Sequence, residues 1–191
     1  MQLYRNAAGW GIDYEAMEKN GQLRIVASYP ESAGLEEHRI MIEEEILAYK
    51  PHRVTVDSLS ALERVSSIKS YREFVVSLTA FVKAREITAL LTAVTATLMG
   101  TNSVTDAHIS TIADSIILLR YVEVLGEIRR GVVVLKMRGS RHDKAIREFT
   151  IDDTGMRIGP AFRNISGILS GDYKYLSAPE LDRVDEMFKE Q

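Results

Sequence analysis

Residues 53–62, RVTVDSLSAL, decide the fold class of this chain. A short apolar strand pattern ends on the acid Asp57, and the hydroxyl residues Ser58 and Ser60 follow it. An acid in this position is typical of nucleotide-binding α/β proteins, whose ligands gather at the carboxyl ends of the strands. There Asp57 can hold Mg²⁺ directly or through water, beside substrate phosphates. The alternative is that Asp57 caps the following loop, with the two serines as local hydrogen-bonding partners.

Strand and helix patterns alternate along the first half of the chain. They are strand 22–29, helix 35–49, strand 53–57, helix 70–86 and strand 87–94. Pro51 follows the first helix at the position where a stop is expected. The last strand, ITALLTAV, is almost continuously apolar, which predicts burial on both of its faces. The alternation predicts a mostly parallel sheet with covering helices.

The second half predicts an antiparallel meander that extends this sheet. Its strands are 115–124, 127–139 and 145–152, with turn signals at Gly126 and at 152–155. Residues 159–172 have the composition of a loop. We therefore predict one partial domain over 1–172 and a tail over 173–191, in which a short acidic amphipathic helix and disorder are both open alternatives.

A dense basic cluster occupies residues 129–147, where seven cations stand against one acid. Lys136 and Arg138 share a face by strand alternation, and His142 and Lys144 follow the Gly139 turn with the same parity. Four donors around a glycine turn suit a polyphosphate, including one held by another subunit. The alternative is a solvated strand edge guarded by charge.

Two further features can carry chemistry. Ser110 and Thr111 are adjacent in a hydroxyl-rich stretch just before a buried strand, and they are either a phospho-acceptor pair or part of a polar loop. Trp10 is the only tryptophan and is either a core anchor or a stacking surface for a base. We find no spacing of residues that defines an independent catalytic nucleophile.

Composition narrows the classes of function. The chain has 191 residues, no cysteine and a formal charge of −3, so disulfides and thiolate metal sites are excluded and a nucleic-acid role is disfavoured. No secretory signal and no run of about 18 apolar residues is visible, which gives an expectation of a cytoplasmic protein without a membrane partner.

Four stretches taken together resemble the second RecA-like domain of the KaiC family of bacterial clock proteins. They are PESAGLEEH (30–38), RVTVDSLSAL (53–62), SVTDAHISTIADSIILLRYVE (103–123) and KMRGSRHDKAIREF (136–149). The resemblance runs from Gln2 to about residue 171 and implies a truncated RecA-like P-loop NTPase core. It also implies a hexameric ATPase and Ser/Thr autokinase that binds ATP and Mg²⁺ between neighbouring subunits.

The resemblance assigns roles to individual residues. It implies that Asp57 is the Walker B acid for Mg²⁺ and that Trp10 lies against the adenine. Ser110 and Thr111 match the two phospho-acceptors, and Thr105 matches a nearby hydroxyl. The residues implied to reach the nucleotide held mainly by the next subunit are Arg130, Lys136, Met137, Arg138, Ser140, His142 and Lys144.

The same resemblance sets an expectation about activity. The family's phosphate loop and catalytic glutamate pair are not among these 191 residues. We therefore expect the chain alone to have no ATPase or autokinase activity, and to be a fragment of an active parent. The alternative is a non-catalytic RecA-like module for oligomerisation, with a KaiB-like or signalling protein as a possible partner.

Overall fold

The structure is a computed structural model that describes residues 2–94, 109–163, 165–169 and 174–177. The chain divides into two compact units, which we describe separately. The first comprises Met1–Thr95 and Val104–Ile112, and the second comprises Ala96–Ser103 and Ala113–Gln191. The two alternatives for the C-terminal tail, a short helix or disorder, concern residues 178–191, which lie outside the described residues.

The first unit is built from helices around a pair of parallel strands. Its elements are α1 (Gln2–Gly9), α2 (Tyr14–Lys19), a 3₁₀ turn (Pro30–Ser32), α3 (Leu35–Tyr49), β1 (Arg53–Val56), α4 (Leu59–Glu63), α5 (Ile68–Lys83), β2 (Thr88–Leu91) and α6 (Ile109–Ile112). Strands β1 and β2 pair in register from Arg53 opposite Thr88 to Val56 opposite Leu91.

The two long helices confirm the sequence pattern. Helix α3 has the predicted bounds, and its last turn closes on Lys50 in the left-handed conformation, one residue before Pro51. Helix α5 begins after Ser67, whose hydroxyl accepts a hydrogen bond from the backbone N–H of Ser70 at 3.1 Å. This side-chain cap satisfies one of the N–H groups that a helix leaves without a partner at its start.

Helix α5 supplies most of the core of the first unit. Its apolar residues recur at helical spacing and pack against Ile46 of α3 and Leu59 and Leu62 of α4. The buried residues that α5 contributes are Tyr71, Phe74, Val75, Leu78 and Val82. Burial raises the pKa of the Tyr71 phenol to about 12, so this ring is neutral at all ordinary pH values.

The second unit is a four-stranded antiparallel sheet with a small hairpin beside it. Its strands are β3 (Ser115–Val124), β4 (Glu127–Met137), β5 (Arg147–Asp152), β6 (Gly155–Ala161), β7 (Ile165–Ser166) and β8 (Lys174–Tyr175). The sheet order is β3-β4-β5-β6, and β7 pairs with β8. Val122 and Val124 of β3 form a small core with Ile168, flanked by Phe162.

The β3–β4 connection is a two-residue hairpin turn. Val124 pairs with Glu127, and both residues between them, Leu125 and Gly126, have positive φ. Positive φ at both central positions matches the turn type whose twist suits antiparallel strands. The turn that we predicted at Gly126 is therefore confirmed, with a leucine in the position that usually favours asparagine or glycine.

Two strand predictions in the first unit need correction. Residues 22–29 form no strand, because their backbone groups find other partners: Leu23 N–H donates to Met17 O at 3.1 Å, and Ile25 N–H donates to Glu18 Oε1 at 3.2 Å. Strand β2 is not buried on both faces. Its burial alternates, and Leu90 is 58% exposed.

The predicted antiparallel meander is confirmed within the second unit, where the sheet has the order β3-β4-β5-β6, but one prediction there needs correction. Residues from 159 onward were predicted as loop, whereas β6 continues to Ala161. Pro160 obscured this strand, and it is tolerated because β6 is an edge strand of the sheet.

None of the helices that the structure describes is long and apolar enough to cross a membrane.

The packing of α5 predicts where the first unit is sensitive to truncation. Leu78 is 1% exposed, so Leu78→Ala leaves a cavity and is expected to lower the free energy of unfolding by about 2–5 kcal/mol. Val76 lies on the same helix and is 43% exposed, so Val76→Ala is the matched control with an expected change below about 1 kcal/mol. Urea unfolding followed by circular dichroism measures both. Equal losses for the two variants would contradict this assignment of the core.

Candidate functional site

Asp57 lies at the carboxyl end of β1, where the chain leaves the strand. Backbone hydrogen bonds fix this end beside that of β2: Thr92 N–H donates to Val56 O at 3.1 Å, and Leu59 N–H donates to Thr92 O at 2.9 Å. The Thr92 hydroxyl also donates to Asp57 Oδ1 at 2.6 Å. The carboxylate is thus held by a residue 35 positions along the chain.

This geometry distinguishes the two interpretations of Asp57, as a ligand of Mg²⁺ or as a cap of the following loop. The loop-capping alternative requires hydrogen bonds from the residues that follow, but the Ser60 hydroxyl accepts from Val94 N–H at 2.7 Å instead. Asp57 is exposed, and only its Oδ1 has a hydrogen bond within the described residues. Oδ2 therefore remains available to a ligand from solvent.

The chemistry of the site suits one kind of metal ion. Among the described residues no three His, Cys, Asp or Glu side chains cluster as a metal site. A single exposed carboxylate does fit Mg²⁺, which keeps several waters and takes further oxygens from substrate phosphates.

Thr92 is a residue that sequence reasoning missed. The parallel register ends with Val56 opposite Leu91, and Asp57 and Thr92 are the next residue on each chain segment. Aligning the carboxyl ends of the two predicted strands would have placed this hydroxyl beside the acid.

Trp10 directly follows α1 in the first unit. Its backbone N–H donates to Ala7 O at 3.0 Å, which closes the last turn of that helix. The side chain is 46% exposed, so the core-anchor alternative is wrong. An exposed indole of this kind can present a face for stacking.

In the second unit, Lys136 and Arg138 both bind the residues that lead into β3. Lys136 Nζ donates to Ala113 O at 2.8 Å, and Arg138 Nη1 lies 3.2 Å from Asp114 Oδ1. The backbone N–H of Arg138 donates to Asp114 O at 2.8 Å. Both side chains therefore have structural partners, which the sequence did not predict. Gly139 has a φ of +73°, as the predicted turn requires.

The other cations of the cluster fall into two groups. Arg129 pairs with Glu127 at 3.0 Å and Glu148 at 3.4 Å, and these carboxylates raise its pKa. Arg130, Arg141 and Lys144 are exposed, and their side chains make no hydrogen bond or ion pair within the described part of the chain. The same turn region carries exposed Ser140 and the half-buried Met137 and His142. Positive charge thus remains in excess around the Gly139 turn.

Asp143, the one acid of the cluster, is engaged on both oxygens. Ala145 N–H donates to Oδ1 at 2.9 Å, and Arg147 Nε donates to Oδ2 at 2.7 Å. The Ala145 N–H, followed by the Arg147 guanidinium, holds the pKa of this carboxyl below its ordinary value. Asp143 is therefore charged at neutral pH and neutralises Arg147.

The charge state of Asp143 gives a pH prediction. Because folding lowers its pKa, its contribution to stability is present above the unfolded value of about 3.9 and is lost as pH falls through the folded value. Arg147→Gln should raise the Asp143 pKa while leaving it below the ordinary value, since the Ala145 N–H remains. Carboxyl-carbon NMR titration measures this shift. Arg157→Gln is the control because Arg157 pairs with Asp152, and an Asp143 pKa that ignores Arg147→Gln would contradict the assignment.

The hydroxyl pair falls on α6 in the first unit. Thr111 is exposed, whereas the side chain of Ser110 and the whole of Thr105 lie outside the described residues. Lys83, the last residue of α5, donates from Nζ to the carbonyl of Ile112 at 3.2 Å. No sequence pattern indicates this contact, because Lys83 is 29 residues from its partner.

The predicted site residues are thus divided between the units. Asp57, Trp10 and Thr111 belong to the first, and the basic cluster belongs to the second. Each unit contains groups that suit a phosphate ligand. The first has the Asp57 carboxylate, which can hold a metal ion that accompanies the phosphates, and the second has exposed cations without partners among the described residues.

Comparison with known proteins gives a consistent result. A family model described as "ATPase: KaiC" matches residues 1–162. The circadian clock protein KaiC3 of Synechocystis sp. is 58% identical over 190 residues, which is 100% of this chain and 38% of that protein. The circadian clock oscillator protein KaiC is 52% identical in Thermostichus vulcanus, over 94% of this chain and 35% of that protein. The Synechococcus elongatus protein of the same name is 50% identical, over 98% and 36%.

These matches settle the family and the fold class. The chain spans little more than a third of the length of these relatives. The parallel pair, the antiparallel sheet and the family match together confirm the predicted α/β, RecA-like class. Because the family model covers residues 1–162 of 191, the chain belongs to the KaiC family of ATPases.

Proposed function

We propose that this chain is the nucleotide-binding and phospho-accepting part of a KaiC-type ATPase and Ser/Thr autokinase. The observation that carries the proposal is the Asp57 carboxylate, exposed at the carboxyl end of parallel β1 with one oxygen fixed by Thr92. Ligands of open α/β sheets bind at this edge. A Walker B acid needs this combination of a fixed orientation and a free oxygen.

ATP with Mg²⁺ is the ligand that we propose. Asp57 would hold the metal ion through Oδ2 or an intervening water, and Trp10 would present its exposed face to the adenine. When bound, Mg²⁺ supplies positive charge that neutralises the phosphates. Asp57 contributes an oriented carboxylate, because the Thr92 hydroxyl donates to its Oδ1.

The basic cluster would serve a nucleotide held mainly by a neighbouring copy of the chain. Arg130 and Lys144 are exposed cations without partners among the described residues, and they are available to phosphate oxygens. Met137, Ser140 and His142 lie around the same turn. Lys136 and Arg138 would add charge there while anchoring Ala113 and Asp114. A site shared across a subunit boundary implies a homo-oligomer, and the hexamer of the family is the form that we propose.

Ser110 and Thr111 are the proposed phospho-acceptors. The exposure of Thr111 on α6 supports this assignment, since a kinase must reach the hydroxyl oxygen. A clock or signalling role in the cytoplasm, with a KaiB-like partner, is the corresponding biological proposal.

The 191 residues by themselves should not bind ATP measurably. They contain no Gly-Lys pair of the kind that a phosphate loop requires, so no loop of backbone N–H groups and no lysine cradles the phosphates. Titration of Trp10 fluorescence with ATP and Mg²⁺ should therefore show no saturable change up to about 1 mM, the upper end of common KM values. Saturable binding would contradict this expectation, and its loss in Lys144→Ala, whose side chain has no structural partner among the described residues, would show that the basic edge alone holds nucleotide.

A second candidate function is a non-catalytic oligomerisation module. Alternate residues of β3 expose apolar side chains on one face, with Ile117 at 58%, Leu119 at 56% and Tyr121 at 45%. Apolar patches of this kind often mark interaction surfaces. Size-exclusion chromatography with light scattering, run beside the ATP titration, distinguishes the two: a defined oligomer without nucleotide favours the module.

The phospho-acceptor assignment has its own test in a longer protein that joins this chain to a phosphate loop. After incubation with ATP and Mg²⁺, mass spectrometry should find phosphate on Ser110 and Thr111. The double variant Ser110→Ala, Thr111→Ala should lose it, whereas Ser66→Ala should behave as the unchanged protein because Ser66 instead caps Leu62 O at 2.9 Å. Phosphate found elsewhere, with Ser110 and Thr111 unmodified, would refute the assignment.

A further inference from the structure

Lys83 lies close enough to α6 for its ammonium group to interact with a negative charge on that helix. It is the last residue of α5, its side chain is exposed, and its Nζ donates to Ile112 O at 3.2 Å. Helix α5 is the best-buried helix of the first unit, so the backbone that carries Lys83 is firmly held. The lysine therefore connects the end of the buried helix α5 to the end of α6.

The contact has a clear physical role in the described state. A helix leaves its last carbonyls without intrahelical donors, and a cation at that end satisfies them and complements the helix dipole. Helix α6 has only four residues, Ile109–Ile112. It is far too short to be stable alone, so this bond from Lys83 is part of what holds it against α5.

We propose that Lys83 is the cation that takes up a phosphate on Thr111 in the same subunit. The proposal rests on the proposed function, which makes Thr111 a phospho-acceptor. Thr111 immediately precedes Ile112, and neighbouring Cα atoms are about 3.8 Å apart. A short movement of the lysine head group can therefore exchange the Ile112 carbonyl for a phosphate oxygen. The phosphate offers a charge of about −1.5 to −2 at neutral pH, against the partial charge of a carbonyl.

The nearest cation in sequence, Arg85, lies two residues beyond the end of α5 and is less suited to this role. Arg85 lies with its guanidinium carbon 3.7 Å from the centroid of the Phe81 ring, and its Nη1 donates to Phe81 O at 3.3 Å. Both contacts hold the Arg85 side chain against Phe81 of α5. Lys83 alone among these two has its head group on α6.

The exchange has a structural consequence. When Lys83 moves to the phosphate, the Ile112 carbonyl loses this donor, and the phosphate adds repulsion near the carbonyl end of α6. Lys83 then pairs with the charged phosphate on Thr111 in place of the neutral Ile112 carbonyl. The hydrogen bond that joined α5 to the last residue of α6 is broken. Lys83 would thus make the hold of α5 on α6 depend on the phosphorylation of Thr111.

The test places the phosphate on Thr111 without any kinase. Phosphothreonine is incorporated at position 111 of the 191-residue chain during translation, and the second pKa of the phosphate is measured by phosphorus NMR. With Lys83 present this pKa should be about half a pH unit lower than in Lys83→Gln, the shift that a surface ion pair gives. The difference should shrink when the salt concentration is raised to about 1 M, where the Debye length is about 3 Å.

The controls separate Lys83 from general charge. Lys69 lies 14 residues earlier on α5, about 21 Å away along the helix, so Lys69→Gln should leave the phosphate pKa unchanged. Lys83→Arg should keep the lowered value. A phosphate pKa that is equal in the unsubstituted chain and in Lys83→Gln at low salt overturns the proposal. Circular dichroism checks that Lys83→Gln folds as the unsubstituted chain does, and Lys83→Arg gives a second comparison in which the charge is kept.

The outcome is independent of the kinase assignment. One outcome is that the longer protein fails to phosphorylate Thr111 while Lys83 still lowers the pKa of a phosphate incorporated there. In that case the ion pair stands and the proposed function fails. If Thr111 is phosphorylated but the pKa of its phosphate is the same with and without Lys83, the proposed function stands. Lys83 then has only its structural role at Ile112.

Discussion

The parallel pairing of β1 with β2 is the constraint on which the first unit depends. It ends with Val56 opposite Leu91, so that Thr92 comes within hydrogen-bond distance of Asp57. The following bonds from Leu59 to Thr92 and from Val94 to Ser60 keep the two chain segments together beyond the strands. A slip of one residue would move every side chain of β1 to the other face, because strand side chains alternate. Asp57 would then lose the hydroxyl that orients it. The register is protected by burial, since Val54 and Val56 pack against the core that α5 forms.

The second unit shows how one cluster of cations can hold structural and ligand-binding members together. Arg129 and Arg147 are neutralised by carboxylates, and Lys136 and Arg138 fix the start of β3. Arg130 and Lys144 then remain with their full charge exposed. A count of charges could not separate these groups, because the difference lies in which carboxylate or carbonyl each cation reaches. Substitution of Lys136 would therefore disturb the start of β3 as well as any bound phosphate, whereas substitution of Lys144 reports on the ligand alone.

The elements that the sequence predicted well are those whose pattern is local. Helix α3, strand β3 and the Gly126 turn follow from spacing and turn chemistry within a few residues. The predictions that failed concern segments whose conformation depends on partners that are distant in the sequence. Residues 22–29 have a strand pattern but give their N–H groups to the end of α2 and to Glu18, and Pro160 obscured an edge strand whose place is set by β5. In the site, Asp57 and the basic cluster were visible from residue type, whereas Thr92 and Lys83 act over 35 and 29 residues and left no local signal.

The short length of α6 explains why a modification there can matter. A long helix carries its own hydrogen-bond ladder and tolerates a new charge at small cost, but a single turn owes its conformation to its neighbours. For α6 one of those neighbours is Lys83, which is attached to the buried helix α5. Helix α5 packs on α4, which begins two residues after Asp57. Helix α5 thus carries Lys83 at its last residue and packs through its buried face against α4, so the proposed acceptor and the proposed metal ligand both lie next to elements of one core.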